Sequence, residues 1–163
     1  MFCGNAAGHY IPPMVVYKAG NCWTTWKENG PEGAVYESTQ SGWFDMPTFT
    51  IWFKTCFLPN IQQFPGRKII IGDNLGCHFS EEVITMCKNN NIGFVPLIAN
   101  STHLTQPLDV SVFRPLKVTW SNILKRWRRD TRYTKAIPKQ TFPTLLKQTY
   151  SKMKVELKDA LVS

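Results

Sequence analysis

The sequence has no apolar run of about 18 residues, the length a helix needs to cross a bilayer, so no membrane span is expected. No basic flank leads into an apolar stretch at its start, so it does not read as a secretory leader. Cysteine is sparse and irregular. The five residues, an odd number without regular spacing, fit free thiols in a reducing compartment rather than a disulfide framework. There is no CxxC and no HxxxH pair, so a zinc site built from Cys77, His78, Cys87 and His103 is set aside. Internal repeats and low-complexity stretches are absent. Acidic residues are scarce in the last third, where 13 Lys/Arg face three carboxylates (Asp130, Glu156, Asp159) from Arg114 onward, a net of +10.

What is present is a chain of one-domain size with a core-forming composition. Of its 163 residues 43% are apolar, with six Trp and ten Phe, which argues against disorder. Overall charge is +8, so residues 1–113 carry a net of −2. This asymmetry makes the C-terminal third a candidate surface for phosphates, although basic helices are also often solvated faces.

The pattern along the chain is α/β. Residues 1–3 and 11–19 (IPPMVVYKA) read as a hairpin around a Gly-rich turn, with Pro12 and Pro13 at the strand start. Residues 34–37 read as a short strand. Asp45 is placed to cap a helix with Pro47 in its first turn, and Phe49, Trp52, Phe53, Cys56 and Phe57 recur at helical spacing until Pro59 stops it. Residues 67–72 carry Ile69-Ile70-Ile71, a run of the kind buried on both faces of a sheet. Ser80, followed by Glu81 and Glu82, caps a helix whose apolar face is Val83, Ile84 and Cys87 and which ends at Asn89-Asn90-Asn91. Residues 92–97 (IGFVPL) form the next strand, and this strand-helix-strand order implies parallel pairing. A long helix after Asp109 carries the stripe Val112, Phe113, Leu116, Trp120, Ile123, Leu124 and Trp127, with Pro115 in or near its first turn. A second helix is expected over residues 138–154.

Parallel strands bring their C-terminal ends to one edge. Asp73 sits at the first of those ends, and the loop leading to Asp109 leaves the second, which puts two carboxylates near the place where open α/β sheets bind ligands. Such a pair suits Mg²⁺, which takes one or two carboxylates plus water and phosphate oxygens. Each residue alone also reads as a cap, Asp73 of a turn and Asp109 of the long helix.

The segments SGWFD (41–45), GDNLGCHFS (72–80) and NSTHLTQPLDVSVFRPLK (100–117) resemble the DDE-type endonuclease domain of the pogo, Tigger and jerky transposases. Residues 11–19, GPEGAVY (30–36) and NNNIGFVPL (89–97) match as well, so that the resemblance covers about residues 1–130 in order. It implies a ribonuclease H-like mixed sheet flanked by helices, and metal-dependent phosphoryl transfer on DNA in the nucleus. Asp73 and Asp109, with 35 residues between them, would be the second and third carboxylates that hold Mg²⁺ or Mn²⁺. Asn74, His78 and Gln106 would support that site. His103 belongs to the matched motif without an evident mechanism.

Two features depart from the family pattern. The first carboxylate, normally on the central first strand, has no counterpart, because the chain opens on what resembles the end of the second strand. Ile98-Ala99 also stands where relatives commonly carry proline. The expectation is therefore a partial endonuclease domain over 1–130 followed by a basic helical extension over 131–163, inactive in this form. An alternative is a domesticated DNA-binding or protein-interaction module, with Lys125, Arg126, Arg128, Arg129 and Arg132 on nucleic acid; a third is a remnant without function. No small-molecule substrate and no membrane partner are expected.

Overall fold

The computed structural model describes residues 1–5, 7–72, 80–96 and 113–162, with side chains placed for all of these except residue 96 and those from 153 onward. The chain opens as an irregular hairpin. The Ile11 N–H donates to Cys3 O at 3.1 Å, the Met14 N–H donates to Met1 O at 3.2 Å, and Gly4 bridges Tyr10. Asn5 holds the turn, its Oδ1 accepting from the N–H groups of Ala7 and His9.

Strand β1 is Met14–Lys18, three residues later than residues 11–19 suggest. Prolines 12 and 13 have no N–H for a ladder, and Pro13 contributes only its carbonyl, accepting from Val35 N at 3.1 Å. Strand β2, Val35–Thr39, pairs with β1 in parallel, Met14 opposite Val35 and Lys18 opposite Thr39.

Helix α1 spans Met46–Trp52 behind its Asp45 cap, whose carboxylate accepts from Thr48 N at 2.9 Å. The expectation that Pro59 ends this helix is overturned. A π-helical turn, Phe53–Phe57, follows, in which Leu58 N–H reaches back five residues to Phe53 O, and α2 (Leu58–Ile61) continues from it. The wide turn restarts the hydrogen-bond ladder, so Pro59 falls in a first turn where its missing N–H costs little. Phe49, Trp52, Phe53, Cys56 and Phe57 are all buried, with Phe53 wholly inaccessible.

Strand β3 (Lys68–Gly72), helix α3 (Glu81–Asn89) and strand β4 (Ile92–Pro96) form the expected unit. The strands are parallel, with Lys68 opposite Ile92 and Gly72 opposite Pro96. Ser80 Oγ accepts from Val83 N at 3.2 Å, and Asn91 at φ 54° takes the left-handed conformation after the helix end. Val83, Cys87 and Ile92 join Met14 and the α1 aromatics in one core. Ile84 does not; it lies on the solvent side of α3.

The α/β class is borne out by the described elements. Among the described residues there are two separate two-stranded parallel sheets, β1–β2 and β3–β4. The isoleucine run, of a kind that is buried on both faces, is covered on one. Ile70 packs on the core, but Ile69 is 61% and Ile71 59% exposed, with Val95 beside them at 47%. No described element covers that face.

Helix α4 is Arg114–Thr131, with Pro115 in its first turn as expected and Arg132 in the left-handed region at its end. Thr119 and Ile123 are its buried positions, and Val112 of the expected stripe lies outside the described residues. Helix α5 is Phe142–Val162. Residues 138–141 instead form a turn closed by Thr141 N–H on Pro138 O at 2.9 Å. α5 packs against α4 and returns to the start of the chain. Phe142 sits edge-on to Tyr17 and 5.5 Å from the Trp120 ring, and the Tyr150 hydroxyl donates to Ile11 O at 3.2 Å.

Candidate active-site edge and basic helix face

Gly72 and Pro96 are register partners at the C-terminal ends of β3 and β4, so the two chain segments leaving these strands depart from one edge, side by side. Asp73 is the residue after Gly72. Asp73 itself, with Asn74, His78, Gln106 and Asp109, lies outside the described residues. The structure thus places the strand ends that carry these segments, and the chain re-enters at Phe113, four residues past Asp109.

Three of the described carboxylates have other work. Asp45 is held below its ordinary carboxylate value, first by the Thr48 hydroxyl and then by the Thr48 N–H, which is the electrostatics of a cap. Glu82 of α3 pairs with Lys54 of the π-helical turn, and Asp130 with Arg129 at 3.2 Å. Among the described residues no group of three His, Cys, Asp or Glu side chains could hold a metal ion. Four described thiols are free. Burial raises Cys3 to about 11 and pushes Cys22, Cys56 and Cys87 upward too, so none is poised as a nucleophile.

The basic residues expected on nucleic acid are all in view. Lys125, Arg126, Arg128 and Arg129 are exposed on α4, and Arg132 is exposed just beyond it. Lys139 is committed elsewhere, lying 4.3 Å over the Trp26 ring and donating to Lys18 O. Two further cations on the same helix, Arg114 and Lys117, are also exposed. Their signal was in the sequence, at i, i+3, i+11 and i+14 with Lys125 and Arg128, once the helix is known to begin at Arg114.

A family model described as DDE superfamily endonuclease matches residues 1–161, nearly the whole chain. The chain belongs to that family. This DDE superfamily endonuclease segment is also similar to a protein of Cochliobolus lunatus named MFS-type transporter clz9, 31% identical over 119 residues. That match takes in 72% of this chain but only 13% of the fungal protein, so the segment corresponds to a small part of it. No solved structure matches. No helix among the described residues is long and apolar enough to cross a membrane.

Proposed function

We propose that these residues are the carboxyl-terminal part of a ribonuclease H-like DDE catalytic domain of the pogo, Tigger and jerky group, working on DNA in the nucleus. The observation that carries the reading is the shared edge of β3 and β4, where two chain segments leave side by side in a chain of the DDE endonuclease family. Asp73 leaves the first strand end directly. Asp109, on the segment that leaves the second, would face it.

The donor set fits a hard divalent cation. Two carboxylates are the complement that Mg²⁺ or Mn²⁺ takes from protein before water and phosphate oxygens complete the shell. When bound, such ions supply Lewis-acid stabilisation of attacking and leaving oxygens in phosphodiester chemistry. Asp73 and Asp109 would hold them, and Asn74, His78 and Gln106 would orient the carboxylates or the DNA backbone. Among the described residues β3 pairs with β4 alone and its Ile69 and Ile71 face is bare, which supports a further element of the proposal. A strand upstream of Met1 in a longer product would pair there and bring the first carboxylate. Without it the 163 residues bind DNA and do not cut it.

Manganese-induced broadening in amide NMR spectra of the full 163-residue chain tests the site. Mn²⁺ should broaden the Gly72 amide at the strand end, and Asp73→Asn or Asp109→Asn should relieve it. Equal broadening in native and both variants would remove the carboxylate pair from the site. DNA cleavage by the native chain in Mg²⁺ would show instead that the first carboxylate is not needed.

A second reading, a DNA-binding module without catalysis, is favoured by one observation. Lys125, Arg126 and Arg128 have no carboxylate partner among the described residues. Binding that persists in both Asp→Asn variants and falls when these cations and Arg129 and Arg132 become alanine would support it.

A further inference from the structure

Helix α4 divides cleanly into two faces. Thr119 and Ile123 are buried, Leu116, Trp120, Leu124 and Trp127 are half-buried, and together they form the side turned to the core and α5. Arg114, Lys117, Lys125, Arg126, Arg128 and Arg129 are all exposed on the other. Arg114, Lys117, Lys125 and Arg128 follow one row, with Ser121 between them at the intervening position. Apart from Arg129, which pairs with Asp130, none of these cations meets a carboxylate among the described residues.

The cations fall into two groups. Arg114 and Lys117 occupy the first turn, and Lys125 to Arg129 the end. Val118, Ser121 and Asn122 separate them without charge. From Lys117 to Lys125 the helix rises about 12 Å, at about 1.5 Å per residue.

The two groups have different electrostatic settings. Cations at the C-terminal end complement the helix dipole, and Arg128 and Arg129 need no partner to be accounted for. Arg114 and Lys117 sit at the opposite end of α4, and no acidic residue stands in that turn to compensate. The fold gains nothing from that placement; a polyanion lying along the face would.

The kind of polyanion follows from what the face lacks. A membrane-surface helix inserts an apolar side, and the apolar side of α4 is already used against the core. A protein interface is centred on buried aromatic or large apolar anchors, and Val118 is the one large apolar side chain exposed on this helix. Phosphate backbone contact needs neither.

We infer that α4 lies across a groove of duplex DNA, with Arg114 and Lys117 on the phosphates of one strand and Lys125, Arg128 and Arg129 on those of the other. The separation of the two groups matches a major groove about 12 Å wide. This rests on the DNA reading above and sharpens it, adding Arg114 and Lys117 and a requirement for two strands.

The test is fluorescence anisotropy of the full chain with a labelled 30-base-pair duplex and with one of its strands alone, across a salt series. Arg114→Ala with Lys117→Ala should weaken duplex binding about tenfold or more and lower the salt slope by about 2, at about 0.9 per lost phosphate contact. Thermal stability should stay about equal, because neither side chain has a carboxylate partner among the described residues. Lys125→Ala with Arg128→Ala should weaken duplex binding comparably. On the single strand either pair alone should cost less than about threefold, since the other group can still hold it.

Equal losses on duplex and single strand would overturn the groove-spanning arrangement. So would an Arg114/Lys117 variant that binds duplex like the native chain, while the DNA reading survives in both cases. Absence of duplex binding by the native chain, or tighter binding to phosphatidylserine vesicles than to duplex, would overturn both. If the alanine pair unfolds the chain, Arg114→Gln with Lys117→Gln keeps the side-chain stems and gives the same readout.

Discussion

The strand pairs β1–β2 and β3–β4 have the same length and the same parallel pairing, but their surroundings are opposite. In β1, Met14 faces the aromatic core of α1. Tyr17 faces the other way, into Trp26, Tyr36 and Phe142, so this pair is covered on both sides. In the second pair Ile70 and Ile92 reach the same core, but Ile69, Ile71 and Val95 look into solvent. A fully buried aliphatic side chain stabilises by about 1.5–3 kcal/mol relative to exposure, so the second sheet leaves a large favourable contribution unrealised. An apolar run in a strand thus records the cover it requires, and no described element supplies it here.

The strongest test of the comparison attacks what the two pairs share. Phe53 is wholly buried in the cluster that holds both Met14 and Ile92. Phe53→Ala should cost about 3–5 kcal/mol, as truncations of buried aromatics do, and lower Tm by about 10 °C or more. Urea unfolding followed by hydrogen exchange checks it. Amides of β1 and β3 should lose protection together; loss in β3 alone would mean that the second pair unfolds as a separate unit.

A smaller effect belongs to the covered pair alone. The Tyr36 hydroxyl is buried without a hydrogen-bond partner, and it lies so close over Gly30 that a Cβ there would fall 1.8 Å from it. Burial pushes Tyr36 and Tyr150 up to about 12 and raises Tyr17 further, the last also through the neighbouring Tyr36 and Cys22. The folded chain therefore holds these protons more tightly than the unfolded chain, whose tyrosines titrate near 10. Stability is intact below about pH 10 and falls as pH rises toward about 12. Tyr36→Phe removes an unpaired buried hydroxyl, so it should stabilise by roughly 1 kcal/mol at neutral pH and shallow the alkaline loss. Denaturant midpoints between pH 8 and 11.5 measure both; a destabilised variant would show that the hydroxyl has a partner in solution.

Local chemistry explains which parts of the structure were legible in the sequence. Asp45 and Ser80 cap the helices they were expected to cap, and the β3–α3–β4 unit is parallel, because both follow from short-range hydrogen bonding and tight connections. Pro59 misled, since a π turn is invisible in side-chain periodicity yet resets where a proline is tolerated. Ile69 and Ile71 are exposed, as a strand of this kind is when a neighbour that would cover it is not beside it. Composition reports what a strand needs, and tertiary neighbours decide what it receives. The candidate site was read from motif and strand order, and the structure speaks to the second: it sets Gly72 beside Pro96, while Asp73 and Asp109 lie outside the described residues. Arg114 and Lys117 lie off the apolar stripe in the sequence, but the row they share with Lys125 and Arg128 becomes visible only on the observed helix.

The smallest expected effect is the one that bears most directly on the bare face. Ile69→Thr with Ile71→Thr changes two exposed side chains on a strand, keeps their β-branching, and leaves Ile70 against the core. In the 163-residue chain each change should move stability by no more than about 0.5 kcal/mol, the range of exposed substitutions, and solubility should improve as an apolar strand edge is made polar. In a longer product that pairs β3 and covers this face, the same two side chains would be buried, and the pair should cost about 2–5 kcal/mol. Measuring the substitutions in both proteins therefore reads out the missing cover directly. A large loss in the 163-residue chain would mean that the face is already covered in solution, by a second copy or by a segment of the chain itself, and sedimentation of the native chain would separate those two cases.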